Sequence, residues 1–167
     1  KSFAIYARNR YEYDEMTYPF LENKDLVNFK HLVLRTSGQD ATLSKIRDIM
    51  MTSLLQENTN LDIQGYRQSV LYINGRYWGI YNIREKINRY FTYYNHDLED
   101  LDAVDILQGN ATSSRFFKAG DNKHYMEMLD FISSNDMNRQ ENYEYIKSIL
   151  DVENYADYQI AQMYYAH

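Results

Sequence analysis

The sequence contains no cysteine, a single proline and only six glycines among its 167 residues. Without thiols there are no disulfides and no thiolate metal sites, although the compartment stays open. So little proline and glycine excludes collagen-like and low-complexity chains. No apolar run approaches the ~18 residues of a membrane-spanning helix, and no signal peptide is recognisable. Positive charge is scarce too: 18 Lys and Arg stand against 24 Asp and Glu, a net charge of -6 with no basic block. Nonspecific binding to nucleic acid or an anionic membrane therefore has no electrostatic footprint. Walker A, zinc, EF-hand and nucleophile-elbow sequences are all missing. The four histidines, His31, His96, His124 and His167, lack the spacing of a metal cluster.

What is present describes a folded domain with a real core. The chain is 44% hydrophobic and 25% charged, a length and composition that suit one domain better than two. Its 18 tyrosines can line a sugar-binding face or serve as core residues with wet hydroxyls, and composition does not choose between these. Asn110-Ala111-Thr112 is formally a glycosylation triplet and reads as a chance match. Lys1 opens straight into a strand-like run, which reads as the boundary of a fragment.

Periodicity lays out the elements. Residues 3–8 read as a short strand, 11–28 as a polar loop, and 29–35 (FKHLVLR) as a second strand. Alternation in that strand puts Phe29, His31, Val33 and Arg35 on one face and Lys30, Leu32 and Leu34 on the other. Residues 41–57 read as an amphipathic helix with Asp40 as N-cap and a buried stripe of Leu43, Ile46, Met50 and Leu54. Arg47 lies about 40° from the centre of that stripe and would need a partner there, with Asp48 on the flank.

Asn74-Gly75 is the favoured pair for a type I′ hairpin turn. A two-residue loop places Leu71 opposite Trp78, Tyr72 opposite Tyr77 and Val70 opposite Gly79. Leu71, Ile73, Trp78 and Ile80 then share one face, and Val70, Tyr72, Tyr77, Tyr81 and Ile83 the other. Two apolar faces predict a hairpin covered on both sides along much of its length. Gly79 marks a close approach by another layer or a ligand.

Beyond the hairpin, 86–94 reads as either a short helix or extended chain, and 103–107 as a brief strand. Residues 108–122 read as a loop, and 122–134, 140–150 and 152–167 as helices. Asp151 is the N-cap of the last helix, whose wide apolar surface predicts a central position. The fold class is therefore α+β, with a sheet-rich part at 1–87 and a mostly helical part at 88–167.

Charged residues gather on the second strand, the helix after it and the end of the hairpin. Arg35 closes a strand, Arg47 and Asp48 sit on the following helix, and Arg84-Glu85 end the hairpin. Such a set serves either as an ion-pair network between sheet and helix or as a cradle for a nucleotide phosphate. Asp97, Glu99, Asp100, Asp102 and Asp105 crowd one segment, which reads as a solvated acidic loop.

Five stretches, in order, carry a family resemblance: KSFAIYAR (1–8), FKHLVLRTSGQD (29–40), IRDIM (46–50), YRQSVLYINGRYWGIYNIREKI (66–87) and DVENYADYQIAQMYYAH (151–167). With these the chain resembles the spore-coat-protein-H, or CotH, kinase-like family, and NGRYWGIYNIRE is the most specific piece. The resemblance implies an atypical protein-kinase-like fold, a small antiparallel sheet lobe followed by the start of a helical lobe. It implies binding of ATP with Mg or another divalent cation, and a possible protein acceptor phosphorylated on Ser or Thr. It implies an exported or cell-surface bacterial protein. By position, Arg35 and Lys1 would meet phosphates, and Asp48 or Glu85 would hold the cation.

There are departures from the family pattern. Gln68 stands where relatives often have Pro, which an edge strand tolerates. The upstream Arg-, Gly- and Ser-rich stretch is absent. So are the downstream Asn, Trp and Asp residues that supply catalytic and metal groups, so the catalytic acids are expected beyond His167. Catalysis is therefore assigned to a parent protein rather than to this stretch. Two other readings stand beside it: a non-catalytic coat or cell-surface component that keeps the fold, and a carbohydrate-binding module built on the tyrosines.

Overall fold

The computed structural model describes residues 1–40, 42–109 and 117–165. The triplet at 110–112 and His167 lie outside the described residues. The chain divides into two compact units, Lys1–Leu54 with Asp62–Leu101, and Leu55–Leu61 with Asp102–His167. The class is α+β, as the periodicity indicated. No helix among the described residues is long and apolar enough to cross a membrane.

The first unit is built on a four-stranded antiparallel sheet in the order β1-β4-β6-β5. Its strands are β1 (Phe3–Tyr6), β4 (His31–Arg35), β5 (Tyr66–Ile73) and β6 (Arg76–Glu85). A two-stranded ribbon joins β2 (Met16–Thr17), inside the segment read as loop, to β3 (Asn28–Phe29), which straddles the end of that segment. Phe29 pairs with Met16 in that ribbon, whereas His31 pairs with Tyr6 in the main sheet. The chain bends at Lys30 to change partners, so alternation does not carry across it. Phe29 consequently packs with Leu32, its expected opposite, and with Leu21. Leu32 is 1% exposed, and its burial is worth about 1.5–3 kcal/mol.

The hairpin turn forms as expected, with φ of 52° at Asn74 and 76° at Gly75. Its register holds for Ile73↔Arg76 and Tyr72↔Tyr77, then shifts by one residue. Leu71 faces Gly79 rather than Trp78, and Val70 faces Ile80. Trp78 is the extra residue of a β-bulge, and Gly79 beside it has φ 137°, a conformation that disfavours any side chain. Every β6 side chain beyond the bulge therefore joins the face opposite to that given by simple counting. Asn82 and Arg84 share a face with Gln68 and Tyr66, while Tyr81, Ile83 and Glu85 share the other with Ser69 and Arg67. The outer half of the hairpin is not covered on both sides: Val70, Tyr72, Tyr77, Trp78 and Ile80 are exposed.

Helix α1 spans Arg47–Gln56, not 41–57. Asp40 belongs to a short 3-10 turn, Gly38–Asp40. Its carboxylate accepts from the Ser44 amide and hydroxyl and from the Arg47 amide at 3.1 Å. It thus serves the true helix start from seven residues away. The apolar stripe points outward: Leu43 is 69% exposed, and Ile46, Met50 and Leu54 are exposed as well. Arg47 is exposed, while Asp48 and Thr52 bond to the sheet. Helix α2 (Arg89–Asn95) resolves the ambiguous segment in favour of helix, with the Asn88 side chain accepting from the Tyr90 and Phe91 amides.

In the second unit, β7 (Ile106–Leu107) pairs with β8 (Phe117–Ala119), a strand inside the segment read as loop. Helices α3 (Lys123–Ser134), α4 (Gln140–Ile149) and α5 (Val152–Tyr164) fall where periodicity put them. The Asp151 carboxylate caps α5 by accepting from the Asn154 amide. Phe131 of α3 and Tyr145 of α4 stack with centroids 4.4 Å apart. Among its described residues α5 buries only Ala161, and Ile160, Met163 and Tyr164 are exposed, so it is not the central helix its composition predicts.

Candidate functional site

The end of β6 sends two adjacent charges to opposite faces of the sheet. Alternation along the strand dictates this, and the charges then meet different partners.

Arg84 lies on the face that carries α1. Its Nη1 donates to Asp48 Oδ2 at 2.6 Å, and Nη2 reaches Thr52 Oγ1 and Gln64 Oε1, each at 3.4 Å. The side chain is 2% exposed, and its Nε has no partner among the described residues. Burial pushes the Arg84 guanidinium below its ordinary value, and Asp48 counters that. An arginine nevertheless stays charged, so Asp48 is the group that makes its burial tolerable.

Arg35 approaches the same carboxylate oxygen, Nε to Asp48 Oδ2 at 3.3 Å. Its side chain is 46% exposed. Two guanidinium groups share one carboxylate, which leaves one positive charge in surplus at the solvent edge. Asn82, which pairs across the sheet with Arg35, is buried. Its Nδ2 donates to Ser37 Oγ at 3.1 Å, while its Oδ1 has no partner among the described residues. Lys1 lies at this end of the sheet, where the adjacent Ser2 Oγ accepts from the Thr36 amide. The Lys1 carbonyl accepts from the Tyr81 hydroxyl, and its Nζ has no hydrogen bond or ion pair to any described residue.

Glu85 faces the other way and is fully engaged. Oε2 takes Lys24 Nζ at 2.7 Å and the Gly65 amide at 2.6 Å, and Oε1 takes Asn95 Nδ2 at 2.7 Å. Lys24 also donates to Asn95 Oδ1 and lies over the Phe91 ring. A Cβ at position 65 would collide with Leu21 Cδ1 and stand 3.2 Å from Glu85 Oε2, so glycine is what lets the backbone reach the carboxylate. The cluster ties together the 20–26 segment, the start of β5, the end of β6 and α2.

The structure thus brings Arg35 and Asp48 together, sets Lys1 at the same end of the sheet, and places Glu85 apart on the opposite face. Sequence reasoning missed Lys24 and Asn95, which contact Glu85 from 61 and 10 residues away. Nothing in the polar composition of 11–28 singles out Lys24.

The arrangement fits an anionic ligand. It offers an exposed guanidinium with surplus charge, a donor group of the sign an anion needs, whereas the unpartnered Asn82 Oδ1 is an acceptor and adds nothing for an anion. It fits a divalent cation only in part, since no group of three or more His, Asp or Glu side chains poised for a metal occurs among the described residues. Asp48 alone would leave most of the oxygen ligands to come from elsewhere.

A family model described as CotH kinase protein matches residues 1–167, the whole length of the chain. No curated protein and no solved structure matches it.

Proposed function

The chain belongs to the CotH kinase protein family, and from that premise we propose that it forms part of an ATP-dependent kinase. The reaction would move the γ-phosphoryl group to a protein Ser or Thr hydroxyl or to another acceptor. The sheet unit would supply phosphate contacts. The observation that carries this reading is the exposed Arg35 held on Asp48, with the second cation, Arg84, buried behind the same oxygen. Arg35 is the group for the phosphates, and Lys1, at the same end of the sheet, is the second candidate. Asp48 orients Arg35 and is the better of the two acids to approach a nucleotide-bound Mg or other divalent cation, because both Glu85 oxygens are already engaged. Bound ATP and its cation would supply the transferable group and neutralise its charge. No catalytic acid is assigned among these residues. A spore-coat family is consistent with an exported or surface protein.

Calorimetry with Mg-ATP tests the reading. The chain should bind, and Arg35→Ala should lose most of that affinity. Unchanged binding by Arg35→Ala would reject the phosphate role.

A second reading, a coat or surface component that keeps the fold without chemistry, is favoured by one feature. The hairpin tip and the outward α1 stripe leave large apolar side chains uncovered. It predicts no nucleotide binding at all. The tip is not a flat sugar-stacking platform at its tyrosine pair, because the rings of Tyr72 and Tyr77 meet at 70°.

A further inference from the structure

The sheet unit contains a cavity of about 350 Å3 where residues 25–28 meet the end of α2. Leu26, Tyr93, Tyr94 and Leu98 line it as half-buried side chains, and Asp25 and Asp97 line it as exposed ones. No Lys, Arg or His belongs to its lining. The nearest cations in sequence are committed elsewhere: Lys24 to Glu85 and Asn95, and His96 to Asp62. Neither Asp25 nor Asp97 has a hydrogen bond or ion pair to any described residue. The Tyr94 hydroxyl donates to Glu15 at 2.6 Å, so a third carboxylate backs the aromatic wall. The cavity therefore combines an apolar and aromatic lining with negative charge that nothing in the described chain neutralises.

We propose that this cavity receives the cationic side chain, arginine or lysine, of a peptide segment from a partner protein. The alkyl stem of such a side chain suits the leucines and tyrosine faces, and its charged head suits the two carboxylates. A volume of this size admits one long side chain with adjoining backbone. A phosphate or other anion is repelled here, which separates the cavity from the Arg35 site. A bare divalent cation gains little from a lining that is half apolar, and no third acid joins Asp25 and Asp97 in a metal-holding group among the described residues. Binding here requires no nucleotide, so the proposal stands or falls independently of the kinase reading.

The test is an amide-resolved NMR titration of the 167-residue chain with N-acetyl-arginine amide, with the neutral isostere N-acetyl-citrulline amide as control. Saturable shifts at the Tyr93, Tyr94 and Asp97 amides are expected with the arginine compound and not with citrulline. The Asp25→Asn, Asp97→Asn double variant should keep a dispersed spectrum, since both side chains are exposed. It should weaken the arginine response about tenfold or more. An equal response to citrulline, no saturable response, an unweakened response in the double variant, or saturation of the same amides by magnesium chloride in place of the arginine compound would overturn the proposal.

Discussion

Arg84 and Glu85 are neighbours in sequence, equally buried, and opposite in the way they are satisfied. Glu85 is closed: each oxygen has a donor, and one donor is a backbone amide that only a glycine could bring so near. Arg84 is open: it shares its carboxylate with a second, exposed arginine, and its Nε is left without a partner among the described residues. A saturated buried charge works as a structural clamp. An undersatisfied one beside an exposed second arginine lies on the side where the phosphate contact is proposed. The charged end of the hairpin is therefore two devices facing opposite ways, and substitutions on the two faces should separate them.

The largest effect is expected on the closed side. Glu85→Ala strands Lys24 and the Gly65 amide, and denaturant unfolding should show a loss of about 3–5 kcal/mol. On the open side Arg84→Met should cost less, about 1–2 kcal/mol, because Asp48 keeps Arg35 and is partly solvated. If the two variants lost the same stability, the distinction between clamp and open site would fail.

A smaller, pH-dependent effect is expected at His31, the first residue of β4 in the same sheet. Its ring lies between Tyr6 and Tyr90 and bonds through Nδ1 with Asn88, the N-cap residue of α2. Burial lowers its pKa from 6.5, and Lys86, Lys30 and Arg8 lower it further. The unfolded chain then takes up the proton first, so stability should fall as pH drops through 6.5 toward the folded value. Below the folded value this group adds no further loss. His31→Leu should flatten that part of the stability profile, and an unaltered slope would assign it to other groups.

The smallest effect is expected where periodicity promised a core. Leu43→Ser should change stability by no more than about 0.5 kcal/mol, measured by the same unfolding midpoint, because Leu43 is 69% exposed. A loss of several kcal/mol would mean that the stripe is buried after all.

These contrasts also mark how far the chain could be read in advance. The helices α3, α4 and α5 were legible because repeating apolar spacing and a local cap at Asp151 are near-neighbour properties. The hairpin turn was legible because Asn-Gly tolerates positive φ at both positions. The bulge at Trp78 was not, since nothing in the composition of β6 marks where one extra residue interrupts its alternation. The orientation of α1 was also hidden. Its stripe satisfies the helical period, but the sheet face it meets presents Arg84, Tyr66 and Arg35, so Asp48, Thr52 and Ser53 turn inward to meet them. Burying Arg84 against leucine and methionine would cost more than leaving those apolar side chains in water.

For the candidate site, the sequence and its family resemblance singled out Arg35, Asp48, Lys1 and Glu85 and could go no further. Which of them meet depended on the bulge that sets the parity of β6, and on contacts such as Lys24 to Glu85 across 61 residues. Local propensity and family pattern determined which elements form. Tertiary structure decided which face each charge occupies, because register and desolvation are properties of the assembled sheet and not of any segment within it.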